Sequence, residues 1–74
     1  MYVNVDARFK FFNGIKRYTV EYCVGLRKWF VFDGEKSTDA LFQKEDKKIK
    51  PKNVNPESAT AVFWEYLDTI GEDY

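Results

Sequence analysis

Apolar and polar residues alternate along the first third of the chain, and the alternation is interrupted at Asn13-Gly14. A two-residue period is typical of a β-strand with one buried face, and Asn-Gly is the strongest short-range signal for a two-residue type I′ hairpin turn. The facing pairs predicted by this turn are Phe12 with Ile15, Phe9 with Tyr18, Ala7 with Val20, Val5 with Tyr22 and Val3 with Val24. This register places the apolar side chains of both strands on one face.

A second hairpin is predicted at Gly25-Leu26, which has the Gly-X form of a type II′ turn. It would pair Tyr22 with Trp29 and Val20 with Val31, and so extend the apolar face. On the opposite face, the predicted pairs are Phe30 with Glu21 and Phe32 with Thr19. Asp33-Gly34 predicts a turn that ends this third strand.

The segment 35–55 is too long for a structureless loop in a compact domain. We therefore predict a short fourth strand around residues 40–43, followed by a charged linker over residues 44–54. A short helix opening at Thr38 or Asp39 is the alternative for the first part of this segment.

A C-terminal helix is predicted over residues 55–71. Asn55 is a favourable N-cap, Pro56 suits the first helical position, and Gly71 is a typical helix stop. Apolar residues recur at steps of three and four and form one stripe that should pack on the sheet: Ala59, Val62, Phe63, Tyr66, Leu67 and Ile70. Trp64 falls outside this stripe, on the flank or the outer side of the helix.

These elements predict one small α+β domain, in which an antiparallel meander of three to four strands over residues 1–43 is covered on a single face by the C-terminal helix. The core is predicted to contain Val3, Val5, Ala7, Phe9, Tyr18, Val20, Tyr22, Trp29, Val31, Phe63, Tyr66 and Ile70. The order of four strands followed by a helix is similar to that of Pur repeats and of the Whirly and transcriptional-coactivator families. These families bind single-stranded DNA, but the similarity is one of element order alone, includes no sequence motif and does not imply a shared function.

Composition favours an aromatic core over a disulfide or metal scaffold. A chain of 74 residues buries only about 60% of its unfolded surface, and seven Phe, five Tyr and two Trp can supply large buried rings. The single cysteine, Cys23, cannot form an internal disulfide, and no secretory or membrane-spanning segment is recognisable. We therefore expect a cytoplasmic protein without membrane contact. A strand that starts almost at Met1 further predicts a complete natural protein.

Charge is balanced overall but separated along the chain. There are 12 basic and 12 acidic residues, yet residues 53–74 contain five acidic and no basic side chains. A duplex-DNA binder usually has a clearly basic balance. The observed pattern suits docking on another protein through complementary potentials.

The sequence contains no recognisable catalytic set. Histidine is absent, which removes the commonest general base and metal ligand, and neither Ser37 nor Ser58 has a partner base. Phosphate-binding loops and zinc spacings are also absent. We therefore expect a non-enzymatic protein with no cofactor and no metal site.

Two other features bear on catalysis. The predicted register places Asp6 opposite Glu21, a spacing that would suit a retaining glycosidase, but the diagonal Arg8 favours a structural ion cluster. Cys23 is predicted on the outer face near Asn4 and Lys28, as an inert thiol.

Two surfaces remain as candidate binding sites. The first is the outer sheet face around the Asn-Gly turn, with Arg8, Lys10, Phe12, Ile15, Arg17, Phe30 and Phe32. Basic side chains interleaved with rings are typical of single-stranded nucleic-acid binding, although the fourth strand or linker could cover the rings, or a homodimer could form there. The second is the helix face with Glu57, Trp64, Glu65 and Asp68, which would bind protein.

The function predicted from these observations is a small intracellular interaction module. We expect a regulator or inhibitor of the kind encoded by phages or mobile elements, which occludes a surface of a larger host protein. The alternative is a single-stranded nucleic-acid-binding protein that uses the outer sheet face.

Overall fold

A computed structural model describes residues 7–34 and 39–71. Four antiparallel strands form one sheet in the order β1-β2-β3-β4, and a C-terminal helix packs against one face of it. The elements are β1 Ala7–Asn13, β2 Lys16–Cys23, β3 Lys28–Asp33, β4 Phe42–Glu45, a 3-10 helix Pro51–Asn53 and α1 Pro56–Ile70. The predicted α+β meander with one C-terminal helix is confirmed, with four strands.

The predicted register of the first hairpin is wrong by two residues. Asn13 pairs with Lys16 and Phe12 with Arg17, so the turn is formed by Gly14-Ile15 instead of Asn13-Gly14. A type I′ turn needs positive φ at both central residues; here only Gly14, at +67°, has it, which is the Gly-X pattern of a type II′ turn.

A shift of two residues leaves every side chain on its predicted face, because the side-chain period of a strand is two. Phe9 faces Val20, Phe11 faces Tyr18 and Ala7 faces Tyr22. The predicted pairs that involve Val3 and Val5 lie outside the described residues.

The second hairpin has the predicted register but a different turn. Tyr22 pairs with Trp29 and Val20 with Val31, as predicted. The connection is a four-residue loop over residues 24–27, closed by the Arg27 N–H, which donates to the Cys23 carbonyl at 2.8 Å. Positive φ occurs at Arg27, at +56°, and not at the predicted Gly25.

The fourth strand forms two residues later than predicted. It spans Phe42–Glu45, with Phe42 opposite Val31 and Gln43 opposite Phe30. This register directs Phe42 to the helix side, where its ring lies 6.1 Å from that of Tyr66. Residues 39–41 are not helical, so the alternative helix does not open at Asp39; Thr38 lies outside the described residues. The predicted turn at Asp33-Gly34 is present, with Gly34 at φ +66°.

The helix begins and ends as predicted. The Asn55 side chain accepts from the Ser58 N–H at 3.0 Å, while the Ser58 hydroxyl accepts from the Asn55 N–H at 3.1 Å. This reciprocal pair is a capping box. Pro56 occupies the first turn, and Gly71 ends the helix in the left-handed conformation at φ +74°.

The core lies between the sheet and the helix, and five of its ten buried residues in the described part of the chain are aromatic. Its buried members are Tyr18, Val20, Tyr22, Trp29, Val31, Ala59, Val62, Phe63, Tyr66 and Leu67. Phe63 is fully buried, and its ring stacks on Phe11 at 4.8 Å and lies 5.3 Å from Tyr18. Phe63 therefore joins the helix to the first two strands.

Three predicted core positions differ in the structure. Ala7 and Phe9 are half-buried because β1 is an edge strand of the sheet. Ile70 is 44% exposed, because it is the last helical residue and no further turn covers it. Val3 and Val5 lie outside the described residues.

Candidate functional site

The outward side of α1 presents one continuous exposed stripe. Glu57, Ala61, Trp64 and Asp68 are spaced by four, three and four residues, which places them above one another on the helix surface, and all four are exposed. Trp64 is 46% exposed. We call this set the acidic stripe: a large ring at its centre with a carboxylate toward each end.

Glu65 lies beside the acidic stripe and has a partner in the sheet. Its carboxylate forms an ion pair with the Lys44 ammonium of β4. Both side chains are substantially exposed, so this contact contributes little to stability. The Lys44 ammonium partly neutralises the charge of Glu65 within the molecule. In this respect Glu65 differs from Glu57 and Asp68 of the acidic stripe.

On the predicted outer sheet face, residues of β1, β2 and β3 face one another in rows. Across the sheet, the rows are Arg8 with Glu21 and Phe30, Lys10 with Thr19 and Phe32, and Phe12 with Arg17. Lys10 and Arg8 on β1 are thus two strands from the rings on β3, roughly 10 Å away. The structure places these residues on one face, but it separates the two β1 cations from the β3 rings.

Arg8 is engaged within this face. Its Nε donates to a Glu21 carboxylate oxygen at 2.9 Å, which confirms that Arg8 and Glu21 form an ion pair. The predicted facing pair of Asp6 and Glu21 is wrong, because the corrected register places Arg8 directly opposite Glu21. Asp6 itself lies outside the described residues.

Phe30 and Phe32 form a small ring pair on β3. Their centroids are 6.1 Å apart and their planes differ by 23°, and both side chains are half-buried. The fourth strand does not lie across them, since it pairs with β3 edge to edge and extends the sheet.

Among the described residues, the most exposed large apolar side chains lie at the tip of the first hairpin. Ile15 is 100% exposed in the turn and Phe12 is 54% exposed next to it. Phe12 faces Arg17 across the strands. Of the seven predicted outer-face residues, these three lie around the turn, whereas the other four lie further along the sheet.

Cys23 ends β2 opposite Lys28, as predicted, and its side chain is buried. Its predicted neighbour Asn4 lies outside the described residues. Thr19, on the same face, is buried as well, and its hydroxyl donates to the Gly34 carbonyl at 2.9 Å.

The predicted charged linker over residues 44–54, which we call the lysine-rich segment, is held against the body of the protein and includes the end of β4 and the 3-10 helix. Asp46 is bound to the body of the protein, since its carboxylate accepts from Trp29 Nε1 at 3.1 Å and its carbonyl accepts from the Tyr22 hydroxyl at 2.9 Å. The apolar residues Ile49 and Val54 of the same segment pack against the core. These two apolar residues are a signal in the sequence that this segment is not a free linker.

Within residues 7–34 and 39–71, no group of three or more acidic or cysteine side chains is placed to hold a metal ion. No helix in the described part of the chain is long and apolar enough to cross a membrane.

Comparison with known proteins adds no functional assignment. No protein-family model matches this chain, and no curated protein or solved structure is significantly similar to it.

Proposed function

We propose that this protein is a non-enzymatic interaction module that docks through the acidic stripe on a basic surface of a larger protein. The observation that supports this proposal best is the stripe itself, with Trp64 exposed between Glu57 and Asp68. Tryptophan is enriched among the residues that dominate binding energy at protein interfaces. The flanking carboxylates give the surface a charge that selects a basic partner.

The regulatory role that we propose is occlusion. A protein of 74 residues that covers a basic site on a larger protein blocks that site without chemistry of its own, which is how a small phage or mobile-element inhibitor would act. Its single thiol suits a reducing compartment, so we propose an intracellular site of action. Basic partner surfaces include those that bind nucleic acid, and these would be occluded by an acidic helix.

The first experiment is affinity capture from a native lysate of the source organism, with and without nuclease. The matched baits are the unchanged protein, Trp64→Ala and Phe12→Ala, since both changes remove one partly exposed ring. We expect a protein that resists nuclease treatment and is retained by the unchanged and Phe12→Ala baits, but lost from Trp64→Ala. The purified partner should then bind Trp64→Ala more weakly by about 2 kcal/mol or more, which is roughly 30-fold in Kd.

A charge reversal tests the electrostatic half of the proposal. Asp68→Lys should weaken binding and reduce its sensitivity to salt, whereas Asp68→Asn should have a smaller effect. Equal binding by Asp68→Lys and the unchanged protein would contradict a basic partner surface.

The second candidate function is single-stranded nucleic-acid binding by the outer sheet face. The observation that favours it is the Phe30 and Phe32 ring pair on a face that also carries Lys10 and Arg17. In that case Phe30→Ala and Arg17→Ala should abolish binding to an oligonucleotide, and affinity should fall steeply with added salt. Micromolar binding that is lost in these two variants but kept in Trp64→Ala would replace the first proposal with this one.

A further inference from the structure

A groove lies at the end of the molecule where the β2–β3 loop meets the lysine-rich segment. Its volume is about 190 Å³. Most of the described residues in its wall are aliphatic: Val24, Ile49, Pro51 and Val54. Val24 is half-exposed at the rim, so the groove is open to solvent and presents an apolar surface there.

Among the described residues, the two charged side chains that line this groove are both basic. Arg27 and Lys47 contribute to the lining, and neither forms an ion pair with another described residue. The Arg27 guanidinium donates to the Lys47 carbonyl at 3.3 Å, and its other N–H groups stay available for a ligand. Three further exposed lysines continue the positive charge along the segment: Lys48, Lys50 and Lys52.

The groove is formed by backbone that is already fixed. The Asp46 N–H donates to the Arg27 carbonyl at 2.9 Å, and the Tyr22 hydroxyl donates to the Asp46 carbonyl. The carboxylate of Asp46 accepts from Trp29 and does not line the groove. A site of this kind loses little conformational entropy when a ligand binds.

Arg27 occupies a backbone conformation that favours glycine. Its φ is +56°, and among the described residues it is the only non-glycine residue with positive φ. Side chains larger than glycine are strained in this region. The chain therefore places a guanidinium at the groove at a cost in stability that glycine at the same position would avoid.

The volume of the groove is large enough for one side chain of a ligand. Pockets for drug-sized ligands are about 300–1,000 Å³, whereas a cavity of about 150 Å³ holds a group as large as benzene. Tyr22 is only 4% exposed, so its ring is not available for a base to stack on. Aliphatic walls with cations that continue beyond the groove suit an acidic peptide better than a single small anion or a nucleic acid.

We propose that this groove binds an acidic segment of a partner protein, which places one aliphatic side chain between Val24 and Ile49. Carboxylates on either side of that side chain bind Arg27 and Lys47 through charge-assisted hydrogen bonds. This site is separate from the acidic stripe and does not depend on it.

The test uses fluorescence anisotropy of a labelled, acetylated peptide, Asp-Glu-Leu-Glu-Asp, with the full chain. Arg27→Gly and Lys47→Glu should each weaken binding about tenfold or more, while Lys16→Glu, an equal charge change in the hairpin turn region, should leave it unchanged. Arg27→Gly relieves the backbone strain, so its melting temperature should equal or exceed that of the unchanged protein. Loss of binding in this variant is then not a loss of fold.

Further binding measurements distinguish this proposal from binding at the acidic stripe, by charge alone or by nucleic acid. Trp64→Ala should bind the peptide normally, so failure of the acidic stripe and failure of the groove are distinguishable. A peptide with Ser in place of Leu should bind more weakly; equal binding would show that charge alone acts and would overturn the proposal. Tighter binding of an oligothymidylate, or no peptide binding at about 1 mM, would also overturn it.

Discussion

Asp46 connects three parts of the molecule through three different groups. Its N–H donates to Arg27, its carbonyl accepts from Tyr22, and its carboxylate accepts from the indole of Trp29. The Trp29 side chain is almost completely buried, and a buried N–H needs an acceptor. Asp46 supplies that acceptor and at the same time fixes the start of the lysine-rich segment.

Asp46→Ala should destabilise the protein by about 1–3 kcal/mol, because the buried indole N–H loses its acceptor. Asp46→Asn is the matched control, since its side-chain oxygen can still accept this hydrogen bond. Urea denaturation followed by circular dichroism measures both variants. Equal stability of Asp46→Ala and Asp46→Asn would show that the indole contact contributes nothing.

The two hairpins differ in where the chain adopts positive φ, and replacing a glycine in each hairpin by alanine tests this difference. Gly14→Ala should destabilise the protein by about 1–2 kcal/mol, because Gly14 has φ +67° and the left-handed region is costly for L-residues. Within the described part of the chain, no atom beyond the two adjoining residues lies within 4 Å of the added methyl group, so the cost comes from the backbone alone.

Gly25→Ala is the comparison in the second hairpin. Gly25 has no positive φ, and among the described residues beyond its two neighbours the added methyl group would meet only Cys23 Sγ, at 3.9 Å. This substitution should be neutral or should stabilise by about 0.4–1 kcal/mol through the unfolded state. Thermal melts of both variants decide the point, and a large loss in Gly25→Ala would contradict the loop described here.

The helix depends on its N-terminal cap. Asn55→Ala should cost about 1 kcal/mol, because the Ser58 N–H loses its acceptor. Asn55→Asp keeps an acceptor and adds a negative charge near the positive end of the helix dipole, so it should retain most of the stability. Denaturant unfolding measures both, and identical losses would show that the cap acceptor is unimportant.

The sequence predicted the elements better than the details of their pairing. Asn55, Pro56 and Gly71 act through local backbone chemistry, and the helix ends where these residues predict. Asn13-Gly14 also acts locally, but Gly14 alone satisfies a type II′ turn, so two registers compete and turn chemistry cannot choose between them. Face assignments survived because both registers have the same parity.

Features that depend on contacts between distant residues could not be predicted in this way. The position of β4 depends on Phe42 reaching Tyr66, and the lysine-rich segment is held by Asp46 and Trp29. Neither contact leaves a periodic pattern in the sequence. The acidic stripe was predicted from helical spacing, whereas the groove at Arg27 and Lys47 was not, because its walls come from two separate segments.

The stability of the protein as a whole depends on the rings between sheet and helix. Phe63→Ala should cost about 3–5 kcal/mol, against a total of about 4–11 kcal/mol expected for a chain of this length. The variant should therefore be close to unfolding at room temperature, as measured by circular dichroism in urea. Phe12→Ala, which removes an exposed ring, should change stability by about 0.5 kcal/mol or less.

The two tryptophans lie in opposite environments, which makes each of them a separate optical reporter. Trp29 is 1% exposed and hydrogen-bonded, whereas Trp64 is 46% exposed on the helix. An aqueous cationic quencher such as caesium should reach only the indole of Trp64, which lies between carboxylates, in the folded protein. Emission that resists caesium then follows unfolding through Trp29, and emission that caesium quenches reports on whatever covers the helix. One unlabelled sample can thus distinguish loss of fold from occupation of the surface.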